Sequence, residues 1–169
     1  EIWKRLHKDM AGLKAPKGAV LFIDLADPEK RPAGEIADAL RFLEDFRGSH
    51  RVVLGVNQKE SMEVGEAIGL KFQAELIEAN AVTLRQALDL DVVVIHPTKN
   101  AACATEKGSA YLDGPYCQNP KLTTGAGVSA YPAIWGGSRG QALLALDGAA
   151  GFRERAVIAL YRGIDQLQR

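Results

Sequence analysis

The chain has 169 residues, 21 Lys+Arg against 21 Asp+Glu, and 47% hydrophobic and 25% charged side chains. That mix describes an ordinary globular domain long enough to bury a core, and zero net charge argues against a broad nucleic-acid or acidic-membrane surface. No apolar run approaches the ~20 residues of a membrane helix, and no signal peptide is visible. Cys103 and Cys117 fit a reducing, cytoplasmic compartment and cannot make a zinc site alone. Because the first residue is Glu1 and not Met, we expect a piece of a longer protein.

Ala19-Val-Leu-Phe-Ile-Asp-Leu25, introduced by Pro16-Lys-Gly18, has the short apolar run of a fully buried strand. Ile36, Leu40, Leu43 and Phe46 then recur at helical spacing between Gly34 and Arg47. Gly48-Ser49 ends that helix, and Val52-Val-Leu-Gly-Val56 is a second buried strand. Helices are expected from Ser61 to Ile68 and from Leu76 to Leu88, and a third strand over Val92-Val-Val-Ile95, closed by His96-Pro97. Strands alternating with helices predict an α/β fold whose parallel sheet is covered on both faces. Ala101 to Ala104 and Ser109 to Leu112, split by Glu106-Lys-Gly108, predict an antiparallel hairpin at the sheet edge. Further on, Gly114-Pro115 and Asn119-Pro120 are turns, and Leu122-Thr-Thr-Gly-Ala-Gly127 is a small-residue loop. Helical patterns follow at Gln141 to Leu146 and Arg153 to Leu167. No repeat or interdomain linker interrupts the chain, so one domain is expected over 1–169.

Ligands of open parallel sheets bind outside the carboxyl ends of the strands. Asp24 and Asp27, with Arg31 behind, follow the first strand; Asn57-Gln-Lys-Glu60 follows the second; His96, Thr98 and Lys99 follow the third. Gly125-Ala-Gly127 would let backbone N–H groups converge on an anion, or form only a tight turn. Asn57 and Glu60, at i and i+3, suit a Mg²⁺ site working through water, but on spacing alone an Asn N-cap with its Glu at N3 is the stronger reading. Asp24 and Asp27 are either an acid/base pair or a cap before Pro28; His96 is either a base or a satisfied polar residue at a strand end. Cys103 is expected to act as a small hydrophobe and Cys117 as a bystander. No Ser-His-Asp order, HExxH, CxxC or full P-loop occurs, which excludes the proteases and P-loop enzymes those motifs mark.

Taken in order, Leu21-Phe-Ile-Asp-Leu-Ala-Asp-Pro28, Val53-Leu-Gly-Val-Asn-Gln-Lys-Glu60, Val93-Val-Ile-His-Pro97, Gly114-Pro-Tyr116 and Leu122-Thr-Thr-Gly-Ala-Gly127 resemble the C-terminal half of a PfkB-type (ribokinase-like) carbohydrate kinase. The resemblance covers about residues 1–127. It implies a three-layer Rossmann-like, ribokinase-like fold and ATP- and Mg²⁺-dependent phosphoryl transfer to a carbohydrate hydroxyl. It assigns Asn57 and Glu60 to Mg²⁺ and phosphate handling through water, and Gly125, Ala126 and Gly127 to the anion hole. It also places His96, Thr98 and Thr124 at the nucleotide. In the family that glycine loop continues into an aspartate, the catalytic base; here Val128 holds the slot and cannot accept a proton. Pro132 lies about two turns into the helix that should follow, where proline clashes. The tail motifs fail together after Gly127, a pattern that a shifted reading frame or relaxed constraint would give, so 128–169 diverges from the family. The expectation is a weak or inactive kinase-like chain, with a non-catalytic nucleotide-binding or regulatory fragment, or a structural remnant, as the alternative. Nucleotide and a small sugar are the implied partners, along with self-association or the missing N-terminal half.

Overall fold

In the computed structural model the described residues are 2–11, 19–25 and 28–113. The elements run α1 (Ile2–Ala11), β1 (Val20–Asp24), α2 (Ala33–Glu44), β2 (Arg51–Val56), α3 (Gln58–Ala67), α4 (Ile77–Ala87), β3 (Val92–Ile95), β4 (Asn100–Thr105) and β5 (Gly108–Asp113). The five strands form one sheet in the order β1-β2-β3-β4-β5. β1, β2 and β3 are parallel, with Ile23 opposite Leu54 and Val56 opposite Ile95. β4 and β5 continue the sheet as an antiparallel hairpin, with Ile95 opposite Ala102 and Ala102 opposite Tyr111. The fold is therefore α/β, a mixed sheet flanked by helices, with the expected hairpin at its edge.

Because side chains alternate across a strand, each strand feeds two cores. Val52, Leu54, Val56, Val93 and Ile95 point to one face, where they join Leu40, Leu43 and Phe46 of α2 and the turn after it, Val64 of α3, and Ile77 and Leu84 of α4. Val53, Val92, Val94, Ala101 and Cys103 form the opposite face. Val53 and Val92 are 0% exposed, so both faces of the central strands are out of water, as near-continuous apolar runs require. β1 differs from the expectation of full burial. Only Ile23 is buried there, because among the described strands β1 pairs on one side alone.

Local chemistry sets the helix ends. α3 begins three residues earlier than its apolar pattern suggests, because Asn57 caps it and the polar Gln58-Lys-Glu60 make its first turn. It ends in a Schellman-type turn: Gly69, at φ 79°, donates to Glu66 O and Leu70 donates to Gly65 O. α4 closes the same way, with Asp89 donating to Gln86 O and Leu90 to Arg85 O, but here a non-glycine residue takes the left-handed position at φ 45°. α1, which lies outside the elements expected from the sequence, docks through Met10, packed against the main core, and through His7. The His7 ring meets Phe46 edge-on at 5.1 Å, and its Nε2 lies 3.2 Å from Asp45 O. Among the described residues no helix is long and apolar enough to cross a membrane.

Candidate functional site

Parallel strands that start together also end together, and here their ends bring the predicted residues to one edge. The β1–β2 ladder runs on from Asp24 opposite Gly55 to a bond from Leu25 N to Gly55 O. The β2–β3 ladder runs on from Val56 opposite Ile95 to a bond from His96 N to Val56 O at 3.0 Å. Asp24, Asn57 and His96 thus terminate three adjacent strands. α3 starts immediately after β2, so its amino-terminal N–H groups and the positive end of its dipole lie at this same edge.

Asn57 and Glu60 form a complete capping box. Asn57 Oδ1 accepts from the Glu60 amide at 2.9 Å, and Glu60 Oε2 accepts from the Asn57 amide at 2.7 Å. Glu60 is buried and Asn57 half-buried. Of the two alternatives open in the sequence, the structure builds the cap, and the cap fixes an amide and a carboxylate at a strand end. Two of their oxygens already hold backbone N–H groups, so the pair suits the outer shell of a hydrated Mg²⁺ better than direct ligation. Among the described residues no three His, Cys, Asp or Glu side chains gather as a metal site.

His96 is half-buried at the end of β3. Burial lowers its pKa, and the negative charge of Asp24 partly opposes that shift, so the two groups sense each other across β2. Thr98 and Lys99 are exposed on the bend that leads into β4. Arg31 is turned away to an i,i+4 pair with Glu35 at 3.7 Å, both ends well exposed. Cys103 is buried in the second core and its thiol is pushed up to about 12 by burial, an inert hydrophobe as expected. Asp27, Cys117, Thr124, Gly125, Ala126, Gly127, Val128 and Pro132, the turns after Asp113 and the helical patterns beyond Gln141 lie outside the described residues.

One charged cluster escaped the sequence reading. At the opposite edge of the sheet, where β2 and β3 begin, Arg47 is paired with Asp89 and lies 3.8 Å from Asp91. Asp91 also accepts from the Val52 amide at 2.8 Å. These partners are about forty residues apart in the chain, and each sits in a turn where charge is unremarkable; only an Asp in a position that favours glycine hinted at it.

No protein-family model and no curated protein matches the chain. Among solved structures, a point mutant of phosphofructokinase-2 from Escherichia coli is similar to it, with a TM-score of 0.52 and 13% identity. The match covers 99% of this chain and 62% of that one. The same protein in complex with substrates and products gives a TM-score of 0.49 at 14% identity, with the same shares covered. The chain shares the α/β fold of the first of these structures and spans 62% of its length.

Proposed function

We propose that this chain is the nucleotide-binding part of a PfkB-type carbohydrate kinase-like protein, weak or inactive as a catalyst in this form. The observation that carries the proposal is the edge formed by Asp24, Asn57 and His96. There the capped start of α3 sets an amide, a carboxylate and a helix N-terminus beside the ends of three adjacent strands, in a fold similar to that of phosphofructokinase-2. Open parallel sheets take phosphorylated ligands at such an edge.

In this reading MgATP is the cofactor, and Mg²⁺ supplies neutralisation of phosphate charge when bound. Asn57 and Glu60 orient its waters; His96 and Thr98, with Thr124, flank the nucleotide. The amides of Gly125, Ala126 and Gly127 hold the transferring phosphoryl group, a role of positioning and charge alone. Val128 accepts no proton, which typically costs ~10²–10⁴ in rate, so any turnover with a sugar is slow. Residues 1–169 act as one cytoplasmic domain, divergent over 128–169, and the sugar-binding contacts come from a missing N-terminal half or a partner copy. Val128 also favours the second reading, a non-catalytic nucleotide-binding or regulatory fragment.

A thermal melt with and without MgATP, repeated in EDTA, tests the proposal. A ligand that binds only the folded state stabilises it by about 2.7 kcal/mol at a hundredfold excess over Kd. We expect a Mg²⁺-dependent rise in Tm that Glu60→Gln diminishes. No shift at millimolar nucleotide would leave only the fold standing. Brisk phosphorylation of a simple sugar would contradict the assignment of Val128.

A further inference from the structure

We propose that the charged cleft at the amino-terminal edge of the sheet binds a small tetrahedral oxyanion of the phosphate class, at a site separate from the edge described above. The cleft encloses about 160 Å³ between the starts of β2 and β3, the end of α4 and the β4–β5 turn. That is several times the ~30 Å³ share of one water in the liquid. Arg47, Arg51, Arg85 and Lys107 line it, against the carboxylates of Asp89, Asp91 and Glu106.

Cations therefore exceed carboxylates, and two of the carboxylates are already committed. Asp89 and Asp91 both engage Arg47, and Asp91 also holds the Val52 amide. The result is one guanidinium locked in place on the wall of the cleft. Because Asp89 and Asp91 hold Arg47 at Nη1 and Nε, the guanidinium offered to an oxyanion is that of Arg85, whose parallel N–H donors match paired oxygens. Arg85, in the last turn of α4, has no ionic partner among the described residues. That one guanidinium brings uncompensated positive charge to the wall of the concavity. The lock also bears a conformational cost. Asp89 sits at φ 45°, where the equivalent turn after α3 uses Gly69, a left-handed backbone that a residue with a Cβ adopts only at some conformational cost. Local strain held in place by surrounding contacts is typical of ligand clamps.

The test is calorimetric titration of the full chain with sodium phosphate, without Mg²⁺ or nucleotide, against NaCl at matched ionic strength. We expect saturable binding that Arg85→Gln weakens about tenfold or more, while Arg41→Gln, which alters an exposed pair with Asp38 on α2, leaves it unchanged. Should Arg85→Gln lower Tm appreciably, Lys107→Gln, in the exposed β4–β5 turn, carries the comparison. Glycerol 3-phosphate titrated the same way separates a free-phosphate site from one for a phosphate monoester: tighter binding of the ester assigns the latter, and either assignment supports the proposal. Heat that NaCl reproduces, an equal loss with Arg41→Gln, or phosphate binding undiminished in both cleft variants would overturn it. Because nucleotide is absent throughout, failure here leaves the MgATP melt as an independent result.

Discussion

Asn57 and Glu60 bond to each other's backbone amides in both directions, at 2.9 and 2.7 Å. Two donors that every helix start leaves open are thereby satisfied at once, and the same two side chains are fixed at the end of β2. The structural cap and the pair to which the proposed function gives the orienting of ligand waters are the same two side chains. Removing the pair has two separable consequences.

Asn57→Ala should destabilise the fold by about 1 kcal/mol, the usual cost of an N-cap, read as a lower midpoint in urea. Asn57→Asp keeps the acceptor and should retain most of that stability. If nucleotide binding uses the pair as proposed, Asn57→Asp should still alter the Mg²⁺ dependence of the MgATP-induced rise in Tm. An Asn57→Ala protein as stable as the parent would show that the box contributes nothing.

Gly65 is the second position where the backbone limits the side chain. A Cβ added there would lie 2.6 Å from the Phe72 ring, which packs over α3 from the following loop. Gly65→Ala should therefore cost stability despite alanine's better helix propensity, by about 1–3 kcal/mol, as overpacking does. In a Phe72→Ala background the same substitution should become neutral or stabilising. The double-mutant cycle measures the coupling directly, and equal effects in both backgrounds would disprove the contact.

What the sequence made legible was what short-range pattern encodes. Val52 to Val56 and Val92 to Val94 are apolar runs because their strands are buried on both faces, and Glu106-Lys-Gly108 marks the hairpin, with Gly108 at φ 149°. The Asn57 cap was visible in its i, i+3 spacing, though the start of α3 was not, since a polar first turn carries no apolar period. α1 does carry an apolar period, Ile2, Leu6 and Met10 at i, i+4 and i+8, and Met10 packs against the main core beside the His7 edge contacts with Phe42 and Phe46. The Arg47–Asp89–Asp91 cluster was hidden for a different reason. Its members meet only once β2 and β3 are paired, and no spacing rule spans that distance.

Cys103 gives a chemical test of the second core. With its thiol pushed up to about 12 from 9.0, its thiolate fraction near pH 8 falls by roughly three orders of magnitude, and the thiolate is the nucleophile. In a Cys117→Ser protein, a thiol reagent at pH 8 should react only as fast as the chain unfolds. The folded state holds the thiol proton more tightly than the unfolded chain, so stability from this group declines as pH rises above 9.0 toward about 12. Fast labelling of native protein would show that the face formed by Val53, Val92 and Val94 is open.

His96 carries the opposite sign of linkage. Burial lowers its pKa below 6.5, and Asp24 pulls back upward. The unfolded chain therefore binds this proton at a higher pH than the native state does. The group's contribution to stability is complete above pH 6.5 and is lost as pH falls toward the folded pKa. An NMR titration of the His96 ring should give a midpoint below 6.5. Asp24→Asn removes the opposing charge and should move that midpoint lower still, which widens the gap to the unfolded value and deepens this group's loss of stability in acid. A midpoint unchanged by Asp24→Asn would mean that the ends of β1 and β3 do not sense each other electrostatically. In that case the edge on which the nucleotide proposal rests would lose its coupling across β2.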